Sequence, residues 1–159
     1  MKIIVSDSGP IIHLNEVNAL EMIVNMGEIF IPLAVAKEVE RHKVSLPDEF
    51  TIIELGPEEL EESKKYMTYG NIHIGESEAI ILARQLKADL FLTDDASARL
   101  FAETKVLNAR GSLGVVLWNL VHKKITKENA KQTLIGLKQS SLWVSDKVFQ
   151  RALSIIDGL

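Results

Sequence analysis

Acidic side chains end two of the apolar segments in this chain, and they are the residues best suited to chemistry. Asp7 closes the first segment, residues 3–5, and Asp94 and Asp95 close a later one, residues 89–93. Capping of the next helix explains any one of these acids. Several carboxylates that converge, however, repel each other unless protons or cations compensate. Because hard cations such as Mg²⁺ prefer carboxylate and water oxygens, the pattern predicts a divalent-cation site.

Glutamates on two predicted helices are candidates to join these aspartates. Glu38 and Glu40 flank the apolar stripe of one helix on opposite sides, and Glu76 and Glu78 both border the apolar face of the other. Helical periodicity therefore does not decide which of the four points toward a site. On spacing alone, each of them stays open.

Strands and helices alternate along the chain, which predicts an α/β fold. Strands are predicted at residues 3–5, 29–31, 89–93 and 106–107, with residues 51–55 as an edge strand or an extended connection. Helices are predicted at residues 19–26, 32–42, 57–69, 76–87, 111–122, 127–137 and 146–156. We expect one domain over residues 1–159, a three-layer α/β/α sandwich with a mainly parallel central sheet of four to five strands. Sites in such sheets form beyond the carboxyl ends of the strands, where the aspartates are expected.

Composition narrows the class of protein and its surroundings. The chain has 159 residues and no cysteine, which excludes thiol catalysis, a disulfide scaffold and Cys-ligated zinc. Its apolar runs are too short for a membrane span, and no signal-peptide core precedes Asp7, so we expect a cytoplasmic protein without a membrane partner. The net charge is −4, but residues 1–95 carry 8 Lys/Arg and 18 Asp/Glu whereas residues 96–159 carry 10 and 4. This asymmetry is consistent with one region that holds cations and another that holds phosphates.

Four short blocks, in this order, resemble the PIN-domain family. Residues 5–12 (VSDSGPII) contain Asp7, and residues 31–39 (IPLAVAKEV) contain Glu38. Residues 75–83 (GESEAIILA) match the third block, whose acid-Ala-x-x-Leu-Ala register falls on Glu78. Residues 90–95 (LFLTDD) match the fourth, in which Thr precedes one or two acids. Residues 109–115 also resemble the Gly-x-Leu-Gly segment of a prokaryotic branch of the family.

The resemblance implies a metal-dependent ribonuclease, often the toxin of a toxin–antitoxin pair. One or two Mg²⁺ (or Mn²⁺) ions held by Asp7, Glu78 and Asp94 or Asp95 would bind a scissile phosphate and activate a water. The Thr-x-acid register of many relatives favours Asp95, and the strand-end position in this branch favours Asp94. Glu38 would complete the catalytic set. By family analogy, cleavage leaves 5′-phosphate and 3′-hydroxyl ends.

Other polar and aromatic residues are candidates for contacts with substrate. Ser8 is expected to hydrogen-bond Asp7, to contact substrate or to cap the following helix. Arg99 and Arg110 are candidates to bind RNA phosphates, although pairing with a nearby acid explains either. Trp118 and Trp143 can stack on bases, yet each lies in an apolar stretch and is expected in the core or in an interface.

RNA and an antitoxin protein are the expected partners, and the apolar helix at residues 111–120 suits a homodimer or antitoxin docking. The main alternative is a catalytically inactive PIN-like scaffold that binds RNA or a protein partner. A phosphatase with a strand-end aspartate nucleophile would need a second Asp where this chain has Gly9. A phospho-receiver domain does not explain glutamates on helices between the strand-end acids.

Overall fold

Five strands form one sheet in the computed structural model, which describes residues 1–159. They are β1 (Ile3–Ser6), β2 (Glu28–Pro32), β3 (Phe50–Ile53), β4 (Leu90–Leu92) and β5 (Ala109–Arg110). Every neighbouring pair is parallel, in the order β3-β2-β1-β4-β5. Consecutive residues of β4 are all buried, and because neighbours on a strand point to opposite faces, helices cover both faces of the sheet. The predicted α/β sandwich is confirmed.

Nine helices surround the sheet. They are α1 (Ser8–Glu16), α2 (Glu21–Val24), α3 (Leu33–Arg41), α4 (Pro57–Gly70), α5 (Ile74–Gln85), α6 (Ala96–Thr104), α7 (Ser112–Val121), α8 (Lys127–Gln139) and α9 (Asp146–Asp157). The helices predicted from residue 32 onward lie within two residues of α3, α4, α5, α7, α8 and α9 at each end. The helix predicted at residues 19–26 is shorter, because α2 spans only Glu21–Val24.

The last strand was predicted in the wrong place. Residues 106–107 are apolar and partly β-branched, but they end α6 instead of entering the sheet. Val106 has a φ of 62° and is 93% exposed, and the N–H of Leu107 donates to the carbonyl of Ala102. Backbone in this left-handed conformation is a common end for a helix. The strand forms just afterwards, at Ala109–Arg110.

The order of the strands reverses between β1 and β4. From β1 the chain runs outward to β2 and β3, and it then crosses to the other side of β1 to form β4 and β5. Ser6 pairs in register with Leu92, so Asp7 and Thr93 leave the sheet side by side. In open α/β sheets this switch point, at the carboxyl ends of the strands, is where ligands bind.

The apolar helix expected to serve dimerisation or antitoxin docking is part of the interior. Its segment forms most of α7, which packs against α2, α8 and α9. Val115, Val116 and Leu120 of this helix are buried, so these side chains are not free for a partner. None of the helices has both the length and the apolar character needed to cross a lipid bilayer.

Candidate active site

Asp7 lies at the centre of the site and is almost fully buried. Its side chain is the N-cap of α1, with Oδ1 accepting a hydrogen bond of 2.7 Å from the backbone N–H of Ser8. Oδ2 accepts a hydrogen bond of 3.1 Å from the hydroxyl of Thr93. Two neighbouring strand ends therefore fix the orientation of this carboxylate.

Thr93 connects Asp7 to the acid that follows β4. Its Oγ1, which donates to Asp7, also accepts a hydrogen bond of 3.2 Å from the backbone N–H of Asp95. Asp95 caps α6, since its Oδ1 accepts from the N–H of Ala98 at 2.7 Å. Its second oxygen makes no hydrogen bond within the protein, and the residue is exposed.

Two glutamates approach Asp7 from helices that begin at the same edge of the sheet. A methyl group added at Gly75, next to the start of α5, would lie 3.2 Å from Glu38 Oε2 and 3.9 Å from Asp7 Oδ1. The absence of a side chain at Gly75 thus lets α5 come close to both carboxylates. The next residue, Glu76, caps α5 by accepting a hydrogen bond of 2.7 Å from the backbone N–H of His73.

Four acids, Asp7, Glu38, Glu76 and Asp95, gather at this edge of the sheet, and we call them the carboxylate cluster. Burial raises the pKa of Asp7 to about 7, and the charges of Glu76 and Glu38 add to the rise. Burial also raises the pKa of Glu76, with further contributions from Asp95 and Glu38. The hydrogen bonds from Ser8 and Thr93 lower the pKa of Asp7 only in part. The negative charge of the cluster is therefore not compensated from within the chain.

Glu78, expected as a metal ligand, lies elsewhere. Residues two positions apart on a helix are separated by about 200° around its axis, and with Glu76 toward the cluster Glu78 points to the other side of α5. There it lines a cavity with Lys37 and Leu60. Its Oε2 is buried without a hydrogen-bond partner, and burial raises the pKa of this carboxyl against the nearby charge of Lys37. Glu76 occupies the position that the third block led us to expect for Glu78.

Asp94 is held by neighbouring helices, whereas Asp95 faces the cluster. Oδ1 of Asp94 accepts a hydrogen bond of 2.6 Å from the backbone N–H of Ser112. Its Oδ2 accepts from the Ser112 hydroxyl at 2.5 Å and lies 2.8 Å from Nδ1 of His13. Both oxygens are thus occupied in joining the end of β4 to α1 and α7. Of the two strand-end acids, Asp95 keeps one oxygen without a hydrogen bond and lies close enough to Glu76 for its charge to raise the pKa of that residue, so the geometry favours Asp95 for a cation.

The three residues expected to contact substrate differ in accessibility. Ser8 is buried and contacts Asp7 through its backbone N–H, and the N-cap of α1 is Asp7 itself. Arg99 and Arg110 are exposed, and neither forms an ion pair with an acid. Arg99 donates to the backbone carbonyl of Thr93 at 3.3 Å, which brings its guanidinium beside the strand end.

Comparison with known proteins identifies the family of the chain. A family model described as a PIN domain matches residues 3–157. The chain belongs to the PIN-domain family. No curated protein gives a significant match. Membership in this family supports a nuclease-like role in general.

The donors of this PIN domain fit a divalent cation in their chemistry. No group of three or more His, Asp or Glu side chains stands close enough together to hold a metal ion. The cluster nevertheless consists entirely of carboxylates, the oxygen donors that Mg²⁺ and Mn²⁺ prefer. Glu38 and Glu76 are half-buried and Asp95 is exposed, so these side chains have room to move toward Asp7. A bound cation would favour the ionised form of Asp7, whose pKa is raised by burial and by the charges of Glu76 and Glu38.

Sequence reasoning missed several residues that the fold brings to this edge. Glu76 was one of two open choices, and a signal for it exists: an acid at the third position of a helix often caps the first turn. The contact between Asp94 and His13 joins residues more than 80 positions apart in the sequence, so no local sequence pattern reveals it. Trp143 was expected in the core or in an interface; it is 83% exposed, which excludes the core and leaves the interface as a prediction.

Proposed function

We propose that this protein is a Mg²⁺- or Mn²⁺-dependent endoribonuclease that hydrolyses RNA phosphodiester bonds. The observation that carries the proposal is the carboxylate cluster at the switch point of a PIN-domain sheet. Carboxyl groups whose pKa values are raised by burial and by nearby acids, as those of Asp7 and Glu76 are, are typical of a functional site when they lie at a ligand-binding edge. Because the carboxylates and a phosphate substrate are both negatively charged, a cation is needed between them for the phosphate to bind at this edge.

In this proposal Asp7, Glu76 and Asp95 hold the cation, and Glu38 supports it from α3. When bound, the cation neutralises charge on the scissile phosphate and activates a water for attack. Asp7 must be ionised to take part. Thr93 and the N–H of Ser8 stabilise that ionised form and keep the carboxylate in one orientation. The free oxygen of Asp95 and the second oxygen of Glu76 remain for the ion, since one oxygen of each caps a helix.

The test is RNA cleavage by the wild-type protein and by Asp7→Asn in the presence of Mg²⁺ or Mn²⁺. We expect the substitution to lower cleavage at least 10³-fold, because a metal ion contributes several kcal/mol to such reactions. Circular dichroism checks that the variant is folded, and single-stranded DNA of the same sequence tests the choice of nucleic acid. Cleavage that survives excess chelator, or an Asp7→Asn variant of full activity, contradicts the proposal. RNA binding without cleavage by the wild type identifies the inactive scaffold instead.

We further propose that the nuclease acts as the toxin of a toxin–antitoxin pair, as the family resemblance implies. Expression of the wild type then arrests growth, expression of Asp7→Asn does not, and co-expression of the antitoxin protein restores growth. A homodimer, also expected from the sequence, is tested by sedimentation of the purified protein.

A further inference from the structure

A groove of about 520 Å³ runs beside β5, between the start of α7 and the outer face of α9. We call it the arginine groove. Its lining includes three cationic and three apolar side chains, Arg99, Arg110, Arg151, Trp143, Val148 and Ile155. It is separate from the carboxylate cluster but begins at the same end of β4.

The arginines of this groove form no ion pair within the protein. All three are exposed, and none lies within ion-pairing distance of an acid. The single acid in the lining is Asp94, whose oxygens are occupied by Ser112 and His13. Planar guanidinium groups bind phosphate oxygens with paired hydrogen bonds. The charge of the groove therefore complements a polyanion.

The apolar part of the groove presents an aromatic face to solvent. Trp143 is 83% exposed, in contrast to Trp118, whose ring stacks on His122 with centroids 3.8 Å apart. On α9, Val148 lies three residues before Arg151 on the same side of the helix. An exposed indole beside unpaired arginines is the combination that binds unpaired nucleic-acid bases and their phosphates.

Hydrogen bonds connect the groove to the carboxylate cluster. Arg99 donates to the carbonyl of Thr93, and the hydroxyl of the same threonine donates to Asp7. Asp94 lines the groove, and the adjacent Asp95 belongs to the cluster. A nucleic-acid strand bound along the groove would therefore extend to the proposed site of cleavage.

We propose that the arginine groove binds a single-stranded segment of the RNA substrate next to the scissile phosphate. In it Trp143 stacks on a base, and Arg99, Arg110 and Arg151 contact phosphates. The indole can reach the face of a base only where the base is unpaired, so the groove selects single strands over duplex. This inference rests on the proposed nuclease function and assigns the residues that contact the substrate beside the site of cleavage.

Binding is measured by fluorescence anisotropy with a labelled single-stranded RNA oligonucleotide and with the same sequence as a duplex, both in excess chelator. We expect Trp143→Ala and Arg151→Ala each to weaken single-strand binding about tenfold, and Trp143→Phe to retain most of it. Arg41→Ala, at an arginine outside the groove, is the matched control and leaves the affinity unchanged. In a Trp118→Phe background Trp143 is the only tryptophan, and its emission is expected to fall when RNA binds.

Unchanged affinity in the Trp143 and Arg151 variants overturns the proposal, as does wild-type binding of duplex as tight as that of single strands. If a synthetic acidic peptide quenches Trp143 and RNA does not, the groove is a protein-docking surface and the proposal is wrong. The assay separates this inference from the nuclease function because no cleavage occurs in chelator. Metal-dependent cleavage with normal KM in Trp143→Ala refutes the groove alone. Groove-dependent binding without any cleavage refutes the nuclease function alone.

Discussion

Thr93 hydrogen-bonds to Asp7 of the carboxylate cluster and to Arg99 of the arginine groove, so the two regions are neighbours. The cluster contains only acids, and the arginines of the groove form no ion pair. In the cluster, burial and the charges of neighbouring acids raise the pKa values of Asp7 and Glu76, and no basic side chain belongs to it. In the groove, three arginines have no acidic partner. Acidic side chains gather in the first region and basic side chains in the second, and the two regions are adjacent. The net charge of −4 conceals that separation, which suits a protein that binds cation and polyanion together.

Among the changes that test this contrast between the two regions, removal of the charge at Asp7 is expected to have the largest effect on stability. The pKa of this carboxyl is about 7 in the folded protein, against 3.8 for an ordinary aspartate. Between these values Asp7 binds more protons in the folded state than in the unfolded state, so its contribution to the stability of the metal-free protein falls as the pH rises from about 4 to about 7 and is level above that. At 1.36 kcal/mol per pKa unit the loss is on the order of 4 kcal/mol.

Urea denaturation of wild type and Asp7→Asn at several pH values measures this effect. The asparagine variant should show a smaller decline, because the raised pKa values of Glu76 and Glu78 remain in it, and it should be the more stable protein at pH 8. Saturating Mg²⁺ should restore stability to the wild type alone, because the cation favours the ionised cluster. Equal pH dependence of the two proteins would show that the pKa of Asp7 is not raised in the folded protein. Arg151→Ala, in the groove, leaves the pH dependence unchanged.

The next effect concerns which glutamate of α5 belongs to the cluster. Glu76→Gln and Glu78→Gln make the same chemical change on opposite sides of one helix. We expect Glu76→Gln to weaken Mn²⁺ binding about 100-fold, as loss of a group that holds or supports a metal does, and Glu78→Gln to leave it within about threefold. Isothermal titration calorimetry measures both affinities. A larger loss in Glu78→Gln would restore the assignment given by the family register.

Sequence reasoning came close to this site where local rules decide the geometry. Asp7 and Asp95 follow parallel strands, and strand ends in such a sheet meet at one edge, so their position could be predicted from alternation of strands and helices. Glu76 could not be chosen over Glu78, because both border the apolar face of α5 and only the packing of that helix against β1 and β2 fixes its rotation. Arg151 joins the groove from the last helix, more than 40 residues after Arg110, and no spacing rule connects them.

The smallest effect distinguishes the two neighbouring acids that end β4. Asp94 accepts hydrogen bonds from Ser112 and lies against His13, whereas Asp95 only caps α6. Asp94→Asn replaces one acceptor oxygen with a donor in a site where both oxygens face donors, so we expect a loss of about 2 kcal/mol in the free energy of unfolding. Asp95→Asn should lose less than about 0.5 kcal/mol, since asparagine caps helices as well as aspartate does.

Cation binding should show the reverse order, with Asp95→Asn impaired and Asp94→Asn nearly normal once it is folded. Urea denaturation and calorimetry on the same pair of variants measure both quantities. If Asp94→Asn lost Mn²⁺ affinity at unchanged stability, Asp94 would be a ligand, and its bonds to Ser112 would have to break when the ion binds. The groove would then change shape together with the cluster, because Asp94 lines it, and the two regions would act as one site.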